Sequence, residues 1–136
     1  MKQGETTWPE YWKIVGINSR IHTCYTGIAG YFVKAIGGIR PDPHAWGMKQ
    51  FIIKPRLVGD LTYARTTSGS YYGPIACNWS RKGTTATFDI EVPPNTTAKV
   101  YIPAKNTQDI SEGGIPGEKA RGVTVLGREE GYLMFR

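Results

Sequence analysis

Several things are scarce in this sequence, and each scarcity removes a class of function. Among 136 residues there are 2 cysteines, Cys24 and Cys77. Two thiols cannot form the dense disulfide framework of a small secreted domain, and no Cys/His cluster has the spacing of a zinc site. Both are read as buried free thiols, with a Cys24–Cys77 pair as the alternative. No run of about 18 apolar residues occurs, so no membrane-spanning helix is expected. The opening residues Met1 to Thr7 lack the apolar stretch of a signal peptide, and the location of a longer parent stays open: cytoplasmic, periplasmic or secreted. The chain lacks a P-loop, a G-x-S-x-G elbow and a G-x-G-x-x-G turn. It also lacks internal repeats and low-complexity segments. No metal and no cofactor are expected. The net charge is +6, which raises the question of an anionic partner. Its basic residues are scattered, however, and Arg81-Lys82 is the one adjacent pair. A solvated mixed surface is the reading, with neither nucleic acid nor membrane as partner.

What the chain does hold is turns and alternation. Seventeen glycines and nine prolines punctuate short β segments. The clearest runs from Thr84 to Ala104. Ala86, Phe88, Ile90 and Val92 alternate with Thr87, Asp89 and Glu91, the period of a strand with one wet face. Pro93-Pro94-Asn95-Thr96 breaks the run. Alternation resumes at Ala98, Val100 and Ile102, with Lys99 and Tyr101 on the other face. The pattern predicts a hairpin. Further strands are expected at residues 50–55, 61–67, 75–81, 123–126 and 132–135, separated by turn signals such as Gly59-Asp60 and Ser68-Gly69-Ser70. Residues 110–122 read as a glycine-rich loop. Many short strands at this spacing predict a mainly β fold, an antiparallel β-sandwich of jelly-roll type.

Ahead of the sandwich the period changes. Ile21, Cys24, Tyr25, Ile28, Tyr31, Phe32, Ala35 and Ile36 recur at three and four, which predicts one amphipathic helix closed by Gly37-Gly38. Gly27 and Gly30 weaken it and usually admit another element close by. Arg40-Pro41-Asp42-Pro43 then reads as a rigid extended linker. An internal boundary near residue 40 divides the chain into 1–39 and 40–136.

Residues 5–12 read Glu-Thr-Thr-Trp-Pro-Glu-Tyr-Trp. Thr7 caps a short helix with Pro9 in its first turn. Trp8, Tyr11 and Trp12 surround Glu10. Aromatic rings stack on sugar faces, and their apolar bulk raises a carboxylate's pKa. His22, in the first turn of the next helix, can reach a site beside it. The bland alternative is that the tryptophans are core, Glu10 a surface charge and His22 a partly buried histidine.

These pieces carry a resemblance. Gly4 to Trp12, Asn18 to His22, Ala35-Ile36-Gly37-Gly38-Ile39-Arg40-Pro41-Asp42, Phe51 to Pro55, Gly59-Asp60-Leu61-Thr62, Tyr72-Gly73-Pro74-Ile75, Val92 to Ala98 and Tyr101 to Ala104 occur in an order that resembles the C-terminal end of bacterial α-L-rhamnosidases of glycoside hydrolase family 78. The resemblance implies that residues 1–39 end an (α/α)6 catalytic barrel and that residues 40–136 form the C-terminal sandwich. It implies that Glu10 is the general base of an inverting hydrolysis of terminal α-L-rhamnosides, that His22 lines the sugar subsite, and that Trp8 and Trp12 contact substrate. An inverting enzyme needs a second carboxylic acid about 6.5–9.5 Å from the base. Glu5 is too near Glu10 in the chain to face it across a sugar. A fragment inactive alone is therefore expected, with rhamnose-containing glycosides or polysaccharides as substrates of the parent. The alternative is a free-standing carbohydrate-binding or structural sandwich, which an aromatic-lined groove on the sandwich would favour. The apolar helix face from Ile21 to Ile36 is expected to mediate self-association.

Overall fold

The computed structural model describes residues 27–136. Glu10, His22, Trp8, Trp12 and Cys24 lie outside the described residues, as do the expected turn at Pro9 and the start of the expected helix. Two compact units divide the chain, the first ending at Phe32 and the second running over Val33–Arg136.

The helix α1 covers Gly27–Tyr31, and Phe32–Ile36 continues as a wider π-helical turn. It stops where the Gly37-Gly38 signal places the stop. Gly38 has φ 75°, a left-handed conformation that costs glycine nothing. A Cβ there would run into the backbone of Lys54 and Pro55, and one on Gly37 into the Thr66 side chain. Two bonds fix this close approach: Lys54 N–H to the Gly38 carbonyl at 3.0 Å and Arg56 N–H to the Ala35 carbonyl at 3.1 Å.

Eleven strands follow: β1 (Ile39–Pro41), β2 (Gln50–Ile53), β3 (Tyr63–Ala64), β4 (Thr67–Ser70), β5 (Gly73–Lys82), β6 (Thr85–Glu91), β7 (Thr97–Pro103), β8 (Ser111–Glu112), β9 (Ile115–Pro116), β10 (Val125–Glu129) and β11 (Tyr132–Phe135). Five build one sheet in the order β1-β2-β7-β11-β10. Its pairings are antiparallel except β2–β7, which run parallel with Gln50 opposite Thr97 and Ile53 opposite Val100. In the second sheet β5 pairs with β6 on one side and with β3 and β4 on the other.

β3 and β4 act as one strand interrupted at Arg65 and Thr66. The Thr66 carbonyl still accepts the Cys77 N–H at 2.9 Å. The Thr66 N–H turns instead to the Asn78 side-chain oxygen at 3.2 Å. Asn78 Nδ2 in turn donates to Asp89 Oδ2 at 3.3 Å across the β5–β6 ladder. A side-chain amide thus satisfies a backbone donor that the interruption would otherwise orphan.

The core lies between the sheets. Ile39, Phe51, Ile53 and Ala98 come from the five-stranded sheet, and Ile75, Cys77 and Trp79 from β5. Val33, Ile36, Phe88 and Ile90 pack against its margin. The alternation read in β6 holds: Ala86, Phe88 and Ile90 are half-buried while Thr85, Thr87, Asp89 and Glu91 are exposed. The mainly β sandwich is as expected.

The expected hairpin is not present. β6 pairs with β5, whereas β7 pairs with β2 and β11. Residues 93–96 carry the chain from one sheet to the other, with Asn95 at φ 60° and the Thr96 hydroxyl donating to the Pro93 carbonyl at 2.6 Å. Period two fixes which face of a strand is buried, not which strand lies beside it. Pro93 and Pro94 also have no N–H to begin a ladder. The expected linker at residues 40–43 begins in β1, an edge strand, where Pro41 is tolerated. The expected loop at residues 110–122 contains the β8–β9 pair.

Candidate functional site

The candidate catalytic residue Glu10 and the candidate sugar contacts Trp8, Trp12 and His22 fall outside the described residues. Among the described residues, two places gather polar or aromatic groups.

The first is the outer face of the five-stranded sheet. Lys54 follows β2 directly after the core residue Ile53, so it points away from the core. Its ammonium lies 2.8 Å from Glu130 Oε2 and 3.7 Å from Glu129 Oε1. It also sits 4.7 Å from the Tyr101 ring centre and 5.1 Å from that of Tyr132. The two rings meet edge to face at 6.2 Å. Tyr101 was read as the wet side of β7, yet it is 6% exposed. The hydrogen bond to Glu130 raises the Lys54 pKa, and the same bond lowers that of Glu130. Burial, reinforced by the Glu129 charge, raises that of the Tyr101 phenol. Lys54 is paired with both Glu129 and Glu130. The lysine stays protonated and the phenol stays neutral, so the cluster offers neither a free base nor a free nucleophile. It clasps β2, β7, β10 and β11 together.

The second place is built from two turns. Residues 42–49 join β1 to β2. Asp42 Oδ1 accepts the His44 N–H at 2.9 Å, and the Trp46 carbonyl accepts the Lys49 N–H at 3.2 Å. Gly47 and Met48 both have positive φ, 63° and 62°. For methionine that conformation costs about 1–2 kcal/mol. Met48 packs against the core margin, while Trp46 is left 94% exposed. The β4–β5 turn is held by Ser70, whose hydroxyl donates to the Gly73 carbonyl at 2.7 Å and accepts the Tyr72 N–H at 3.1 Å. Tyr71 at its tip is 98% exposed. Between the turns lies an open groove of about 400 Å³ lined by Gly47, Met48, Gly69, Ser70 and Tyr71. Among the described residues no charged side chain lines it.

Trp46 and Tyr71 belong to no strand or helix period, so the sequence gives them neither a buried face nor a role. An aromatic ring inside a turn signal has no strand face to bury it, and that was the available clue. One aromatic, Tyr71, lines the groove, the kind of feature expected to favour a binding module. Ile28, Tyr31 and Phe32 at the end of the first unit are each more than half exposed, at 56%, 59% and 51%.

Comparison with known proteins gives concordant matches. Residues 38–115 match the family model of the bacterial alpha-L-rhamnosidase C-terminal domain. A curated α-L-rhamnosidase of Streptomyces avermitilis is 34% identical over 111 residues, covering 75% of this chain and 11% of that protein. One from Formosa agariphila is 34% identical over 119 residues, covering 81% of this chain and 13% of that protein. Among solved structures, Streptomyces avermitilis α-L-rhamnosidase complexed with L-rhamnose gives a TM-score of 0.76 at 29% identity, covering 98% of this chain and 13% of that one. The α-L-rhamnosidase from Dictyoglumus thermophilum gives 0.79 at 26% identity, covering 98% and 15%. The chain spans 11–13% of the length of the curated relatives it matches.

Proposed function

The chain belongs to the family of bacterial α-L-rhamnosidase C-terminal domains, and from that premise we propose that it serves a glycoside hydrolase which removes terminal α-L-rhamnose by inverting hydrolysis. The observation that carries the reading is the family match over residues 38–115. Residues 1–39 are assigned to the end of the catalytic barrel and residues 40–136 to the sandwich. Glu10 acts as general base, with Trp8 and Trp12 stacking on the sugar and His22 lining its subsite. Rhamnose-containing glycosides or polysaccharides are the substrates of the parent.

This chain alone is inactive on the same reading. Inverting hydrolysis needs a base and an acid on opposite faces of the sugar, about 6.5–9.5 Å apart. One carboxylate cannot hold both roles. Glu129 and Glu130, the neighbouring carboxylates of the outer sheet face, are committed to Lys54. The test is hydrolysis of an aryl α-L-rhamnoside. The isolated chain should not exceed the buffer rate, and Glu10→Gln in the parent should nearly abolish turnover with the fold intact. Turnover by the pure chain, abolished by Glu10→Gln, would refute the assignment.

A further inference from the structure

The groove between residues 42–49 and the β4–β5 turn is unused by the proposed reaction. We propose that it is a non-catalytic binding site for a neutral carbohydrate chain, with Tyr71 in its wall and Trp46, the residue before the lining Gly47, as the stacking rings.

Three observations converge on that ligand class. The first is exposure. At 94% and 98%, Trp46 and Tyr71 are the most exposed large apolar side chains among the described residues. Neither contributes to the core, so packing within the domain gives no reason for an aromatic ring at either place. The second is charge. The chain carries +6 overall, yet the groove lining has no lysine, arginine, aspartate or glutamate. A phosphate or nucleic-acid site would concentrate cations. A neutral lining fits a neutral ligand. The third is rigidity. Trp46 is set beside the Gly47-Met48 pair at positive φ, and Met48 is anchored against the core margin. Tyr71 is set by the two hydrogen bonds of Ser70. Because the turns that present the rings are held, binding need not order their backbone.

A sugar ring has one face of C–H groups and a rim of hydroxyls. The C–H face suits an aromatic ring, and the rim stays in water over an open groove. A 6-deoxy sugar such as rhamnose adds a methyl group that suits the Met48 and Tyr71 walls. Because the Ser70 hydroxyl is engaged in its own turn, stacking rather than side-chain hydrogen bonding carries the affinity. Weak binding that accumulates along a polymer follows. Such a site would hold the parent on its polysaccharide while the barrel cleaves terminal residues.

The choice of a rhamnose-containing probe rests on the proposed function; the stacking site itself does not. The experiment is affinity electrophoresis of the 136-residue chain through native gels containing a rhamnose-rich polysaccharide, a rhamnose-free neutral polysaccharide, or none. The wild type should be retarded by the rhamnose-rich polymer. Trp46→Ala and Tyr71→Ala should each weaken retardation by about tenfold in apparent Kd, while melting like the wild type. Trp46→Phe, which keeps a ring, should retain most of it. Lys82→Ala, outside the groove, should change nothing. Equal retardation of Trp46→Ala, Tyr71→Ala and wild type would overturn the proposal, since binding would then lie elsewhere. So would an unretarded wild type in every gel, as expected if these rings dock on the parent protein instead. Retardation by both polymers, lost in the two alanine variants, would sustain the site and remove its rhamnose preference. None of these readouts depends on hydrolysis, so they are separable from the test of the proposed reaction.

Discussion

Trp79 donates its indole N–H to the Ile36 carbonyl at 3.0 Å, tying the middle of β5 to the last turn of the helical segment. The bond satisfies a carbonyl that the helix end leaves without an intrahelical partner. Trp79→Phe keeps an aromatic ring but strands that carbonyl. It should destabilise the domain by about 1–3 kcal/mol, read as a lower urea midpoint with an unchanged slope. Trp79→Ala should cost about 3–5 kcal/mol, because it also empties part of the core.

Gly38 and Gly83 separate backbone strain from collision. Both have positive φ, 75° and 58°, but only Gly38 has neighbours where a Cβ would lie. Gly83→Ala should therefore cost about 1–2 kcal/mol, the left-handed penalty alone. Gly38→Ala must also displace the backbone at Lys54 and Pro55 and should prevent folding of the sandwich. Circular dichroism and thermal melting of the two variants provide the check. Equal losses would show that the Gly38 approach is not rigid.

How much of this was readable beforehand varies by element. The turn at Gly37-Gly38, the alternation of β6 and the extent of β11 are local facts, and local chemistry announced them. The partner of β7 was not local. Its neighbours are β2 and β11, each far away in the chain, and nothing in Thr97–Pro103 names them. Tyr101 was misplaced for the same reason: its cover comes from Lys54 and Tyr132, on other strands. Glu10 and His22 stood out by their neighbours, the flanking tryptophans and the expected helix start, and the resemblance supplied their roles. Trp46 and Tyr71 went unflagged because exposure cannot be read from residue type.

Cys77 is fully buried, and burial pushes its thiol up to about 12, with the Asp89 charge adding to the effect. The folded protein therefore holds this proton while the unfolded chain releases it near 9.0. The linked stability is fully present below about pH 9 and is lost as pH rises toward 12. At pH 8 the native protein should leave Cys77 unmodified by iodoacetamide, and guanidinium should expose it, as peptide mapping would reveal. Native-state labelling of Cys77 would contradict the packing.

The Lys54–Glu130 contact makes a different pH signature. The lysine lowers the Glu130 pKa, so the stabilising contribution is present above the ordinary carboxylate range and falls away as pH drops through the depressed value. The lysine's own pKa is raised, so on the alkaline side the contribution is lost as pH climbs through that value. Glu130→Gln should lower the urea midpoint slightly at pH 7, and the gap to wild type should narrow as pH drops through the depressed carboxylate value. Because Glu130 is exposed, the gap should also shrink in high salt.

Ile28, Tyr31 and Phe32 expose apolar surface at the end of the first unit. We propose that in the isolated chain a second copy covers it. Among the described residues a Cβ on Gly27 or Gly30 would meet nothing within 4 Å, which leaves room for another helix to approach. Sedimentation should show an oligomer that Ile28→Asp converts to a monomer, with the β-sheet signal unchanged. A wild type that stays monomeric at high concentration would sink the idea.

The parallel β2–β7 pairing puts a clock on the five-stranded sheet. β1 and β2 are made before β7 and meet through a short connection, but the inner edge of β2 must wait for β7, whose first pairing sets Thr97 against Gln50. At about 5–20 residues per second, several seconds pass before that partner is made. Non-local closure slows the step further. Meanwhile Phe51, Ile52 and Ile53 present an apolar edge of the kind that recruits neighbouring chains. Lys49 and Lys54 bracket that edge. Two charges at the ends of a short apolar strand act as gatekeepers against premature pairing. Lys54, later the clasp on Tyr101 and Tyr132, thus serves the nascent chain before it serves the folded one.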